Sequence, residues 1–490
     1  MSGRGAGLSD SQSNTPITRG SVARGAWYGL WAQAVDKVLP VVLLLYLART
    51  LAPEQFGVYS FLVAYLAFFQ VVSDYSLDTV LVRAISQNPE KGSSILRAGL
   101  GLKLLMAVLS AGAAIAFIGP ASGWRVPADL AAVAALSLPT ALGGAYRAWF
   151  RAHLDIRAVM LVACSRAGLL ATGVFAAVAA GMGLRTIFVA MAVANLVNFL
   201  AVTVVLRRSV DTRPTVDRAI WKLVLSGAWP LMLNALATTV SLRASHILLM
   251  SIEGPVEVGR LGAAARVTEA FQLLPEALMI SVYPVMADAW SRGSESLLGT
   301  ARRTARYLMA VVGYPVVLCS VAGGLVMETL FGPEFRSASD ILAVLAFLAL
   351  FGATGAVIVN LLVATHRESA LYRVTLVFAA ANVAACAWAI PRFGGVGAAM
   401  AMLATSAASQ VALAVLPASR QWVAPTMLAG LRAAVAIPVA IAATHWCSSE
   451  VSAAVVATFA YAAGLVVFRI VDRQEIEFLR GMWTRARIDE

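Results

Sequence analysis

Several ionisable side chains stand inside long apolar runs, and they bound the chemistry open to this chain. Asp36 and Lys37 lie in the middle of one run, with Gln33 a turn before them and Pro40 a turn after. Arg166 lies a little way inside another run. Arg243 and His246 share a helical face at i, i+3, and Arg266, Glu269 and Glu276 fall near one stripe that Pro275 interrupts. Asp74 and Asp78 share a face of a further run. A charge at the centre of an apolar span costs roughly 2.5–3.5 kcal/mol, so such residues face a cavity or a partner. Lys37, Arg166, Arg243 and Arg266 together read as the lining of a cationic cavity. Guanidinium groups pair with phosphate oxygens in a bidentate fork, so this chemistry is anion binding.

Each of these residues has a plainer reading. Lys37 can pair with its neighbour Asp36, and Arg266 with Glu269 three residues on. Arg166 lies near enough to the end of its run to snorkel. Arg243 has no acid at helical spacing, which makes it the clearest candidate. Asp36, His246, Glu269, Asp74 and Glu276 are candidates for ion coupling or gating. A buried histidine is more often a satisfied packing residue, and the simplest role for Asp74 and Glu276 is to partner inner arginines such as Arg83. Pro40 should kink its helix and turn backbone carbonyls toward a cavity.

Enzyme-like constellations are absent from the sequence. There is no GxxxxGK[ST], HExxH or GxSxG. No acidic loop suits a metal and a nucleotide-sugar, and His153 and Asp155 read as part of a charged loop with Arg151 and Arg157. Cys164, Cys319, Cys386 and Cys447 are scattered, so neither a disulfide framework nor a metal site is expected. No cofactor is expected.

The elements that must position the charges are membrane spans. Hydrophobic residues make up 60% of the 490 and charged residues 13%, against about 25% charged in soluble proteins. Fourteen runs approach the roughly 20 apolar residues that cross a bilayer. They lie near 26–48, 58–80, 98–118, 128–149, 159–180, 186–206, 222–250, 259–287, 307–330, 339–363, 371–390, 396–416, 426–445 and 451–469. With the N-terminus placed inside, the outer gaps hold only Arg49, Arg125, Arg185, Arg336 and Arg392 of the basic residues. The other loop and tail arginines fall on the inner side, the bias expected of an even set of helices with both ends in the cytoplasm. That rule also accounts for the net charge of +12 without nucleic acid as a partner. Residues 1–25 are polar and show no cleaved signal peptide.

The chain repeats itself at an offset of 202 residues. Gly25-Ala26-Trp27 falls on Gly227-Ala228-Trp229, Pro53 on Pro255, Gly57 on Gly259, Phe69-Gln70 on Phe271-Gln272, and Asp74 on Glu276. Six spans separate the copies, so they share one orientation, a transporter arrangement with its substrate site at the repeat interface. The expected division is a tail at 1–25, an N-lobe at 26–206, a linker at 207–221, a C-lobe at 222–416, two further spans at 426–469 and a tail at 470–490.

The run from Tyr46 to Tyr59, with Leu47-Ala48-Arg49, Pro53-Glu54 and Phe56-Gly57, resembles an element of bacterial polysaccharide flippases. So do Asp74 to Arg83 and the turn Phe393-Gly394-Gly395-Val396-Gly397-Ala398-Ala399. The resemblance implies the multidrug/oligosaccharidyl-lipid/polysaccharide exporter superfamily, an all-α polytopic fold of two six-helix lobes plus two C-terminal helices. Its members flip undecaprenyl-pyrophosphate-linked glycans across the bacterial inner membrane by alternating access, with a proton or sodium gradient as the energy source. Membrane lipids and the polysaccharide polymerase and export machinery are the partners it implies. Within the superfamily the alternatives are a lipid II flippase and a drug/cation antiporter; outside it, a membrane glycosyltransferase or polysaccharide ligase. One departure stands out. Where the family often carries an acid in the seventh span, Leu242 to Leu249 has Ser245.

Overall fold

The computed structural model describes residues 39–138, 142–153, 155–207 and 210–468. Among them every element is helical. Asp36 and Lys37 lie outside the described residues. The first helices are α1 (Leu39–Thr50), α2 (Pro53–Asp74), α3 (Leu77–Gln87), α4 (Gly92–Ser122), α5 (Ala128–Ala135), α6 (Leu142–Ala152), α7 (Ile156–Ala179) and α8 (Leu184–Leu206). The second group is α9 (Arg218–Ile252), α10 (Pro255–Ser291), α11 (Ser294–Val321), α12 (Gly323–Phe331), α13 (Ser339–Ala364) and α14 (Glu368–Val415). The chain continues through α15 (Arg420–Ala434), α16 (Ala436–Ala443) and α17 (Glu450–Val467), which pack on the second group, chiefly on α11.

Eleven helical stretches are long and apolar enough to cross a membrane, against the expected fourteen. Three features separate the two counts. The first expected span begins outside the described residues, leaving α1 short. The expected span at 128–149 is split into α5 and α6. Pro139 stands in the sequence between them, and proline removes a helical hydrogen bond and clashes with the preceding turn. Finally, α14 is a hairpin rather than one rod. Gly394 takes φ 54° and ψ −134°, outside the helical region. Thr405 Oγ1 donates to Asn382 Oδ1 at 3.1 Å. A straight helix would hold residues so spaced roughly 35 Å apart at about 1.5 Å rise each. The chain therefore folds back at Gly394, where the sequence predicts a turn.

The repeat has a direct physical expression. Pro53 and Pro255 start α2 and α10, where a missing N–H costs nothing and the fixed φ favours the helix. Four residues on, Gly57 and Gly259 meet each other. A Cβ on Gly57 would run into the Pro255 carbonyl, and one on Gly259 would lie 2.6 Å from the Pro53 oxygen and 3.3 Å from Gly57 Cα. One turn further, a Cβ on Gly262 would lie 2.9 Å from Ser60 Cβ, again a pair at the repeat offset. Equivalent residues touching each other is what an axis of near two-fold symmetry between the copies requires. Backbone packs on backbone here, as small residues allow between apolar helices.

The same end of the bundle is tied by other contacts between the two groups. Phe56 packs edge-on to Phe335 at 5.5 Å and to Phe331 at 6.4 Å between ring centroids. Arg49 Nε donates to the Leu330 carbonyl at 3.0 Å, and the same guanidinium reaches the Thr329 carbonyl. Arg125 donates to the Ile252 carbonyl at 3.3 Å. At the opposite end α9 is pinned to α4, with Trp221 Nε1 donating to the Ala98 carbonyl at 2.8 Å.

Gly57→Val is expected to destabilise the protein by about 1–3 kcal/mol, the usual cost of overpacking. Gly299→Ala, whose added carbon meets nothing within 4 Å, should melt like wild type or slightly higher. Equal melting of wild type and Gly57→Val in a thermal-shift assay would contradict the close crossing.

Candidate functional site

Two charge groups stand out within the described helices, and between them they hold Arg243, Arg266, Glu269 and Asp74 of the sequence-predicted residues. The first joins α9 and α10. Arg243 Nη1 stands 3.0 Å from Glu269 Oε1, and Arg266 Nη1 stands 2.8 Å from Glu269 Oε2. The carboxylate is thus held by a guanidinium at each oxygen. Arg243 has no acid on its own helix, yet the fold supplies one from α10. Arg266 pairs with Glu269 as the i, i+3 spacing predicts, but it shares that partner. With two cations and one anion, the group carries one positive charge in excess. Its side chains stay 20%, 40% and 26% exposed in the order Arg243, Glu269, Arg266. Tyr59 of α2 lies within the electrostatic reach of Arg266, which places the group where the two halves meet, close to the Gly57–Gly259 crossing.

His246 is buried beside Ser245, with Nδ1 3.4 Å from the Ser245 hydroxyl. Where a family member often has an acid, Ser245 is fully buried. Asn382 fills the neighbouring space, donating to the Ser241 carbonyl at 3.0 Å. No group of three His, Cys, Asp or Glu side chains suited to a metal occurs among the described residues.

The second group lies between α2, α3 and α4. Lys103 is completely buried and its Nζ is 2.7 Å from Asp74 Oδ1, while Asp78 Oδ1 is an equally direct partner. Asp74 is therefore an ion-pair partner as predicted, but of Lys103 and not of Arg83, which is exposed. Glu276, its mate in the repeat, also has an interaction partner. Sequence reading passed over Lys103. The signal was present: a lone lysine in the apolar run 98–118 must find an acid, and Asp74 and Asp78 are two acids on one face. The chain bends between the two acids. Tyr75 and Ser76 take φ 46° and 55°, a left-handed conformation that costs non-glycine residues about 1–3 kcal/mol each. Buried Ser73 and Leu77 flank the break, so the interrupted backbone is shielded by protein, as lipid surroundings demand. Gly144 of α6 completes the group, because a Cβ there would lie 2.6 Å from both Asp78 Oδ1 and Lys103 Nζ.

Arg166 also has an interaction partner. It lines a polar cavity of about 370 Å³ between α2, α6, α7 and α8, together with Arg147 and Asp74. A second space, an apolar groove of about 620 Å³, runs between α11, α13, α14, α15 and α16, lined by residues such as Phe347, Met427 and Leu431. Of the loop residues, Asp155 caps α7 by accepting from the Ala158 N–H at 3.0 Å, and His153 stacks on Trp149 at 4.1 Å. Both are structural.

The profile of the polysaccharide biosynthesis protein family matches residues 22–290, more than half of the chain. The chain belongs to this family. No curated protein matches it by sequence. Among solved structures, this polysaccharide biosynthesis protein resembles the lipid II flippase MurJ in an inward closed conformation. The TM-score is 0.72 at 11% identity, over 91% of this chain and 99% of that one. It also resembles an inward-facing multidrug resistance MATE transporter, with TM-score 0.63 and 15% identity over 82% and 99% of the two chains. A third similar structure is a MOP superfamily transporter from Pyrococcus furiosus, described as having a binding pocket of reversed polarity. There the TM-score is 0.52 at 12% identity, over 83% and 96%. These likenesses establish the fold, an all-helical one with many apolar helices long enough to cross a membrane.

Lys103→Met should cost about 3–5 kcal/mol, because it leaves carboxylates in the protein interior without their cation. Adding Asp78→Asn should restore part of the loss. Thermal melting of the purified single and double variants checks this, and a Lys103→Met protein that melts like wild type would remove the ion pairs from the account.

Proposed function

We propose that this protein flips a polyprenyl-pyrophosphate-linked oligosaccharide across the bacterial inner membrane for surface polysaccharide assembly. The observation that carries the reading is the Arg243–Glu269–Arg266 group, which holds one excess positive charge between the halves. A pyrophosphate brings about two negative charges, and low-dielectric surroundings strengthen its pairing with guanidinium. An organic-cation antiporter would want the opposite sign in that place. The apolar groove beside α13, α14 and α15 suits an isoprenoid tail.

In this reading both termini are cytoplasmic and the Pro53/Pro255 end faces outward. The Gly57–Gly259 crossing closes the outer side, and rocking of the halves about it exposes the charged group to each side in turn. A proton or sodium gradient drives the cycle, with Glu269, the partner of both arginines, and His246, three residues from Arg243 on α9, as the titratable candidates. A polymerase and export machinery take up the product.

In a deletion strain, mass spectrometry should find accumulated lipid-linked repeat units while surface polymer is lost. The accumulated mass also separates this reading from a lipid II flippase, which would pile up the peptidoglycan precursor. Arg243→Ala and Arg266→Ala, at normal membrane levels, should each cut polymer roughly tenfold or more, the scale of a lost charge-assisted contact of about 1.5–3 kcal/mol. Normal intermediates and polymer in the deletion strain would sink the proposal. For the gate, Ser60→Cys with Gly262→Cys should cross-link under oxidation and stop polymer export until a reductant is added. Export that continues with the bridge formed would show that the crossing does not open.

A further inference from the structure

We propose that Arg49 and Arg125 are the latches of the outward closure. Each is a guanidinium of the first half that caps a helix end of the second, engaged in this structure and released when the halves part. The outward placement of this end rests on the flippase reading. The latches go beyond that reading, because the crossing of α2 and α10 needs neither arginine.

The first observation is how the outer basic residues are used. Five arginines lie in gaps expected on the outer side. Three of them are engaged within their own half. Arg185 stands 3.5 Å from Asp129, Arg336 holds Glu328 and Glu450, and Arg392 lies over the Trp388 ring at 4.6 Å. Arg49 and Arg125 are engaged across the halves, and their acceptors are backbone carbonyls.

The second is the kind of acceptor. Arg49 Nε donates to the Leu330 carbonyl at 3.0 Å and its Nη2 to that of Thr329, both in the last turn of α12. Arg125 Nη2 donates at 3.3 Å to the carbonyl of Ile252, the last residue of α9. Last-turn carbonyls have no N–H partner within their helix and carry the negative end of its dipole, so a guanidinium caps them well. The α12 helix is anchored in turn. Arg336 Nη2 reaches Glu450 of α17 at 2.6 Å, and Glu450 accepts from the Leu325 N–H at 2.6 Å. The Arg49 latch therefore grips a fixed part of the second half.

The third is symmetry. The ends of α1 and α9, Thr50 and Ile252, are equivalent in the repeat, and so are the starts of α4 and α11, Gly92 and Ser294. Arg49 joins the end of α1 to the segment after α11. Arg125 joins the segment after α4 to the end of α9. The two contacts are thus one contact made twice, once on either side of the axis. The arginines themselves are not equivalents, since the repeat offset places Ser251 at the counterpart of Arg49 and Met327 at that of Arg125. The repeat alone does not account for an arginine on both flanks; a paired clamp does.

The fit is close at the second latch. A Cβ on Gly254 would strike the Arg125 guanidinium, and one on Gly123 would lie 3.2 Å from the Ser251 carbonyl oxygen. Both arginines are nevertheless exposed. Water can take over their hydrogen bonds and those of the carbonyls, so the latches release without stranding a buried polar group.

The test follows modification of Ser60→Cys, at the buried crossing, in spheroplasts given a membrane-impermeant maleimide. Mass spectrometry reads every cysteine. Arg49→Gln and Arg125→Gln should each raise the rate roughly tenfold, the effect of losing a charge-assisted hydrogen bond. The double variant should exceed both. Arg49→Lys keeps the charge but loses the fork, and should fall between wild type and Arg49→Gln. Arg185→Gln, whose partner lies in its own half, should leave the rate unchanged. Two native cysteines are internal checks. Cys386 is buried in the second half and should stay unmodified. If it reacts together with Ser60→Cys, the variants unfold instead of opening, and the latch is refuted. Cys447 should react in every variant; if it does not, this end does not face outward and the outward latch falls. The proposal is also overturned if neither arginine variant speeds modification, or if Arg185→Gln speeds it as much. The substrate reading is tested separately, by the lipid-linked intermediates of the deletion strain.

Discussion

The crossing of α2 and α10 is the contact on which the rest of the structure depends. Between apolar helices in lipid there is little hydrophobic gain from association, so closeness of packing decides which pairs adhere. Gly57 and Gly259 let two backbones meet without intervening side chains. Because they are equivalent in the repeat, the contact lies on the axis that relates the two halves. Everything else at that end follows from it, including the Phe56 aromatic cluster and the arginines reaching carbonyls of the other half.

Just beyond the crossing, electrostatics takes over. Within the helices Arg243, Arg266 and Lys103 all have carboxylate partners, and for Arg243 and Lys103 the fold supplies them from another helix. The two groups differ in sign. The Arg243 group carries an excess positive charge, and the Lys103 group an excess negative one. The first remains partly open, whereas Lys103 is sealed. That contrast suits a binding role for the former and a structural role for the latter. The left-handed turn at Tyr75 and Ser76 persists because buried neighbours and the ion pairs on either side hold it.

The repeat is legible in sequence, yet its copies are not chemically alike. Gln70 lines the polar cavity of the first half, while Gln272 packs tightly against Gly352 in the second. Asp74 meets Lys103, and residue 305, the position in the second half that corresponds to Lys103, is an alanine. A shared backbone plan has therefore been given two different interiors, a polar cavity in one half and the apolar groove beside the other.

By itself the sequence determined the helical class, the approximate spans, the parallel repeat and the identity of most intramembrane charges. These are local or periodic properties, set by the length of apolar runs and by the cost of placing a charge in lipid. The Arg266–Glu269 pair was readable for the same reason, since three residues on a helix are neighbours. Tertiary structure alone decided that Arg243 shares Glu269, that Lys103 pairs with both Asp74 and Asp78, and that Arg166 lines a cavity with Arg147 and Asp74. Each of these depends on which helices are adjacent. Helical periodicity says which face a residue occupies but carries no information about what stands opposite.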